Sequence, residues 1–157
     1  MSNHNSTADF EQPRMKLSQQ APELYRAMIA LDAAVTLDPS LRDLVCLRAS
    51  ILNGCAYCVD MHTLDARARG ETEQRLYAVA TWHEAPFFSE RERAALLLAD
   101  AMTLIADGHV PRETWDVARA QFDEKELAQL IWAITVINAW NRIAVATRML
   151  PGEYRPT

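Results

Sequence analysis

From Pro22 to Arg148 the apolar residues recur every three or four positions, and no stretch of useful length alternates apolar with polar. That period fits helices and excludes half-buried strands, whose successive side chains point to opposite faces. The chain is therefore predicted to be all-α, a compact single-domain bundle of about six to seven helices. Its 157 residues, 50% of them apolar, can bury a sufficient core without metals or cross-links.

The punctuation is local and readable. Leu24, Met28, Leu31 and Val35 mark a first helix from Pro22, which Asp38-Pro39 ends, because a residue before proline is pushed out of helical geometry. A second starts near Pro39, carries Leu41, Leu44, Val45 and Ile51 or Leu52, and stops at Asn53-Gly54. A third runs from about Cys55 to Arg69 before Gly70, and a fourth covers about Glu73 to His83. Ser89 with Glu92 reads as a capping box opening an apolar helix that contains Ala94, Leu97, Leu98, Ala101, Met102 and Ile105, with Gly108 placed to end it. A shorter helix follows Pro111. Asp123 with Glu126 is a second capping pair, flanked by a Phe122–Leu127 hydrophobic staple. It opens a last helix striped by Leu127, Leu130, Ile131, Ile134, Ile137 and Val145. The domain is read as residues 21–151, with residues 1–20 as a polar arm or strap over a neighbouring subunit and 152–157 as a tail.

Charge and composition narrow the function. A net charge of −5, mixed along the chain, provides no basic stripe for nucleic acid and no polybasic membrane anchor. The first twenty residues lack the charged and apolar regions of a secretory signal, and no unbroken apolar run has the length of a membrane span. The expectation is a cytoplasmic protein. Structural disulfides are rare in that reducing compartment, so a close cysteine pair there requires a chemical explanation.

Such a pair is present in Cys55-Ala56-Tyr57-Cys58-Val59-Asp60-Met61-His62. At 100° per residue, Cys55, Cys58 and His62 project within about 60° of one another on one helix face. Residues three or four apart have Cβ atoms roughly 5–6 Å apart, so a small relaxation of the first turn lets the sulfurs join. A helix N-terminus stabilises a thiolate, and an imidazole one turn below Cys58 can hold the displaced proton. Two thiols and a proton carrier suit reduction of a hydroperoxide through sulfenic acid and then disulfide, with an external dithiol restoring both cysteines.

Other readings of the same residues stand beside this one. A CxxC can be half of a zinc site, and Cys2His is a catalytic zinc set, but a structural site wants a fourth ligand and Cys46, His4, His83 and His109 are unpaired. No metal or cofactor is therefore expected. Cys46 fits an isolated buried cysteine. Asp43 reads as a first-turn acid complementing the helix dipole. Trp82 at helical spacing from Leu76 and Val79 fits core better than a thiol entrance lined with His83, and Glu84 fits a solvated helix end. Arg48 is expected in a buried salt bridge, and Asn138 and Asn141 either cap or bond across an interface.

The segment Leu41 to His62, with its Asn-Gly-Cys-x-Tyr-Cys-x-x-x-His core from Asn53, resembles the alkylhydroperoxidase D-like branch of the carboxymuconolactone decarboxylase family. The Trp-His-Glu-Ala-Pro run at Trp82, the stretch Phe88 to Leu96 and the Ile-Asn-Ala-Trp-Asn-Arg run at Ile137 extend the resemblance. It implies an all-helical fold, homo-oligomers, and peroxidase activity fed by lipoylated or thioredoxin-like thiol reductants. It assigns oxidation to sulfenic acid to Cys58, resolution to Cys55, the motif histidine to His62 and the proton-relay carboxylate to Asp43. Two departures stand out. Asp43 is one methylene shorter than the family's glutamate, and Tyr57 occupies the place of a histidine found between the cysteines in some members. Two alternative functions are a redox-sensing or disulfide-exchange protein with little turnover, and a decarboxylase, whose branch typically lacks the CxxC.

Overall fold

The structure is a computed structural model and describes residues 12–156. The described chain is all-helical, with no strand: α1 (Leu17–Gln20), α2 (Pro22–Ala33), α3 (Pro39–Leu52), α4 (Ala56–Ala68), α5 (Glu73–Ala78), α6 (Glu90–Thr103), α7 (Arg112–Gln121) and α8 (Glu124–Thr147). A 3-10 turn, Val79–Thr81, continues α5. Among the described residues there are eight helices, the single turn α1 taking the count above the expected range. Of the N-terminal arm, residues 1–11 lie outside the described residues; farther along, Arg14 N–H donates to Thr147 O at 2.8 Å.

The sequence-marked caps form. Asp38 accepts from Leu41 N at 3.0 Å with Pro39 in the first turn of α3, and both Ser89–Glu92 and Asp123–Glu126 close reciprocal capping boxes. Gly54 and Gly70, at φ +64° and +95°, supply the left-handed turns that let the chain leave α3 and α4. α6 is shorter than its apolar spacing predicts. It ends at Thr103, Leu104 leaves helical geometry at ψ 37°, and Ile105 is exposed, because the last turn of the pattern has no packing partner.

α3 is the hub, packed against α4, α6 and α8. It is buried nearly all round, as a central helix must be. Leu41, Val45 and Ala49 join the larger core with Leu98 of α6 and Leu130, Ile134 and Ile137 of α8, whereas Leu44 and Leu47 face a smaller core built on Leu76, Val79, Trp82, Phe88 and Leu96. Each fully buried leucine contributes about 1.5–3 kcal/mol relative to exposure. Arg48 ties the two cores together by a bidentate pair with Asp100, Nε to Oδ1 at 2.6 Å and Nη2 to Oδ2 at 3.0 Å. α8 is the one described helix whose length and composition would suit a membrane span, and it is packed into this bundle along its inner face. α2 is different: none of its residues is buried, and Leu24, Ile29 and Leu31 are exposed.

Candidate active site

The chain turns sharply between the hub helix and α4. Asn53 caps α3, Gly54 takes positive φ, and Cys55, in extended conformation, becomes the N-cap residue of α4. Cys58 follows one turn later. The two sulfurs are joined as a disulfide across a Cα–Cα distance of 5.4 Å, and the Cys58 N–H points at Cys55 Sγ, 3.4 Å away. Residue types that would otherwise cap with oxygen are replaced here by sulfur, which places both thiols against the positive end of the α4 dipole.

Cys58 and His62 line one cavity of about 180 Å³, whose other walls include Tyr25, Cys46, Tyr57 and Trp140. Cys55 is buried behind Cys58 and is absent from this lining. Tyr25 and Trp140 meet edge to face, with ring centroids 5.4 Å apart. A larger groove of about 430 Å³ shares Tyr25, Tyr57 and Met149 with the cavity and leads from it along the surface beside α1 and the end of α8.

At this site burial favours the neutral form of His62, Cys46 and Tyr57. Burial, reinforced by the Arg42 and Arg69 charges, lowers the His62 pKa to about 3, and its shielded Nε2 has no hydrogen-bond partner among the described residues. Burial pushes the Cys46 thiol up to about 12, although Arg42 opposes the shift, and raises the Tyr57 phenol. Cys46 is thus a buried core cysteine, as expected, that also forms part of the cavity wall.

The other sequence candidates are elsewhere. Asp43 Oδ2 accepts from Arg69 Nη1 at 2.6 Å and lines a separate polar cavity of about 120 Å³ with Ser40, Arg69 and Glu71. Burial raises its pKa, with Arg69 acting in opposition. Trp82 is core, and His83 stacks on it at 3.7 Å and contacts Asp100 at 3.1 Å, so neither lines the thiol cavity. Glu84 is exposed. Asn138 and Asn141 bond to Asn53 within the chain. No three His, Cys, Asp or Glu side chains among the described residues are grouped to hold a metal ion. The aromatic wall, Tyr25 and Trp140, escaped sequence reasoning because it joins two helices more than a hundred residues apart in the chain.

Comparison with known proteins agrees with this architecture. The carboxymuconolactone decarboxylase family matches residues 22–101. YdfG of Bacillus subtilis, an uncharacterized protein, is 40% identical over 136 residues, covering 85% of this chain and 92% of its own. A crystal structure of an Agrobacterium tumefaciens protein of unknown function, named for antioxidant defence as AhpD, superposes with a TM-score of 0.85 at 38% identity, over 93% of this chain and 99% of that one. An uncharacterized peroxidase-related protein from Ralstonia eutropha, described as an alkylhydroperoxidase AhpD core, shares the fold with a TM-score of 0.76 at 22% identity, over 87% and 74% of the two chains. The chain belongs to the carboxymuconolactone decarboxylase family, in its alkylhydroperoxidase D-like branch.

Proposed function

We propose that the protein is a thiol-dependent peroxidase that reduces organic hydroperoxides through Cys58 and Cys55. The observation that carries the reading is the pairing itself: two cysteines close enough to be joined, of which Cys58 alone faces the cavity, beside an imidazole nitrogen with no hydrogen-bond partner among the described residues. The α4 N-terminus stabilises the Cys58 thiolate, and the displaced proton passes by way of His62 on the same cavity, whose low basicity makes it hand the proton on rather than keep it. The thiolate attacks the distal peroxide oxygen, the O–O bond breaks, and the alkoxide leaves as alcohol with that proton. Cys58 is then a sulfenic acid. Cys55 thiolate attacks the Cys58 sulfur, forming the disulfide and releasing the oxygen as water once protonated. A lipoylated or thioredoxin-like dithiol returns both cysteines to thiols and is itself oxidised.

Asp43 contributes no group to the cavity, and in this reading it positions Arg69, one of the charges that keep His62 neutral. We extend the proposal to a homo-oligomer, because α2 leaves Leu24 and Leu31 exposed on a surface that a second copy can cover, and to the cytoplasm, whose reducing conditions suit a cysteine pair that must be returned to thiols. The apolar, aromatic lining of the cavity favours an organic peroxide over hydrogen peroxide.

Steady-state consumption of cumene hydroperoxide with a dithiol donor tests the reading. Turnover in the wild type and none in Cys58→Ser is expected. Stoichiometric oxidation that stops after one equivalent would assign the protein to redox sensing or disulfide exchange.

A further inference from the structure

Among the described residues, the interface of α3 with α6 and α8 contains a polar chain that its apolar surroundings do not require. Asn53 Nδ2, at the end of α3, lies 2.9 Å from each of three acceptors: Ala49 O, Asn138 Oδ1 and Asn141 Oδ1. Asn141 Nδ2 donates to Ser50 Oγ at 3.0 Å, and Ser50 Oγ donates to Cys46 O at 2.7 Å. Asn138 Nδ2 donates to Thr103 Oγ1 at 3.0 Å. Ser50 and Asn141 are almost fully buried.

Such a network is a poor way to gain stability. Burying amides and hydroxyls costs desolvation that their mutual bonds roughly return, and apolar groups of the same shape serve as well or better. What a satisfied buried network does supply is a single defined geometry. Here it borders the segment that delivers Cys55. Ser50 O accepts the Cys55 N–H at 3.0 Å, and between the network's Asn53 and the sulfur-bearing residue stands only Gly54, whose conformational freedom is otherwise large.

We propose that Asn53 and Asn141 are positioning residues for the resolving cysteine: anchored to α8, they hold the 53–55 corner so that Cys55 meets Cys58 for disulfide closure. The step they serve is attack of Cys55 thiolate on the Cys58 sulfenic sulfur, forming the S–S bond and releasing hydroxide, which leaves as water. Peroxide attack by Cys58 does not depend on them, since Cys58 is fixed by α4 itself. The kinetic part of this inference rests on the peroxidase reading above. Its geometric part, the preorganisation of the thiol pair, does not.

The test uses Asn53→Ala and Asn141→Ala in the full chain, with two readouts. Under rapid mixing with one equivalent of cumene hydroperoxide and dimedone as a sulfenic-acid trap, both variants should oxidise Cys58 within twofold of the wild-type rate yet close the disulfide at least tenfold more slowly, accumulating dimedone adduct. In equilibrium with dithiothreitol, the effective concentration of one thiol at the other should fall at least tenfold. A residue that only stabilised the fold would lower the unfolding temperature and leave both ratios unchanged. Closure and equilibrium within twofold of wild type in folded Asn53→Ala overturns the proposal, and that variant decides should Asn141→Ala not fold. If wild type does not oxidise at Cys58 at all, the peroxidase reading fails alone, and the dithiothreitol equilibrium still decides the positioning role.

Discussion

His62 stands one turn of α4 beyond Cys58 and lines the same cavity, with its Nε2 shielded from solvent and without a hydrogen-bond partner among the described residues. Burial lowers its pKa from 6.5 to about 3. The unfolded chain therefore takes up a proton at this histidine as pH falls below about 6.5, whereas the folded protein takes it up only near 3. Stability is fully retained above that window and is lost as pH falls through it. Urea midpoints measured from pH 7.5 to 4 should decline more steeply in the wild type than in His62→Gln; parallel curves would show that His62 is not buried as a neutral group.

Arg48 and Asp100 should behave as a buried pair, in which removal of one charge strands the other. Arg48→Met leaves Asp100 with Trp82 Nε1 and His83, each at 3.1 Å, and no compensating guanidinium. The expected cost is about 3–5 kcal/mol by denaturant unfolding. Arg48→Met combined with Asp100→Leu should recover much of that loss. A loss in the single variant below about 1 kcal/mol would class the pair with exposed ones.

Cys46 should be inert. Its thiol is buried and pushed up to about 12, so the thiolate is scarce at neutral pH. Reduced, folded protein treated briefly with iodoacetamide should be alkylated at Cys58 and remain unmodified at Cys46, as read by peptide mass spectrometry. Alkylation of Cys46 at a comparable rate would place the reactive sulfur elsewhere than proposed.

The exposed face of α2 makes a prediction about assembly. Leu24, at 75% exposure, and Leu31 are separated by two turns on one face of α2, whose other face sets Tyr25 and Met28 against the bundle. Sedimentation equilibrium should give a mass above the 17.7 kDa of one chain, and Leu24→Glu should shift it toward that value. A monomeric wild type would leave this apolar surface without the proposed partner.

The helices and their starts are legible in the sequence because each rests on neighbours within four residues. Asp38-Pro39, Ser89 with Glu92 and Asp123 with Glu126 each act through local bonds, and all three form. The stripe of α8 is likewise visible down to Ile137, whereas Val145 continues the period and is exposed, since periodicity states which side is apolar and not what covers it. The same limit explains α2 and Ile105. Cys58 and His62 are readable as one group because a single helix carries them, whereas Cys55, expected on the same helix face, is the extended N-cap residue just before α4 and lies behind Cys58. Asp43 is different: the family resemblance assigns it the relay, while by itself it reads as an acid complementing the helix dipole, and Arg69, at the far end of α4, turns its carboxylate toward another cavity. That outcome depends on how α3 crosses α4, which no local pattern encodes. The partners of Asn138 and Asn141 were open for the same reason.

The central claim is that Cys58 receives the peroxide oxygen and Cys55 removes it. Mass spectrometry after one equivalent of cumene hydroperoxide tests it most directly. The account predicts a Cys55–Cys58 disulfide in the wild type and a dimedone-trapped sulfenic acid on Cys58 in Cys55→Ser. Oxidation confined to Cys46, or sulfenic acid forming on Cys55 in Cys58→Ser as fast as the wild type reacts, would contradict it.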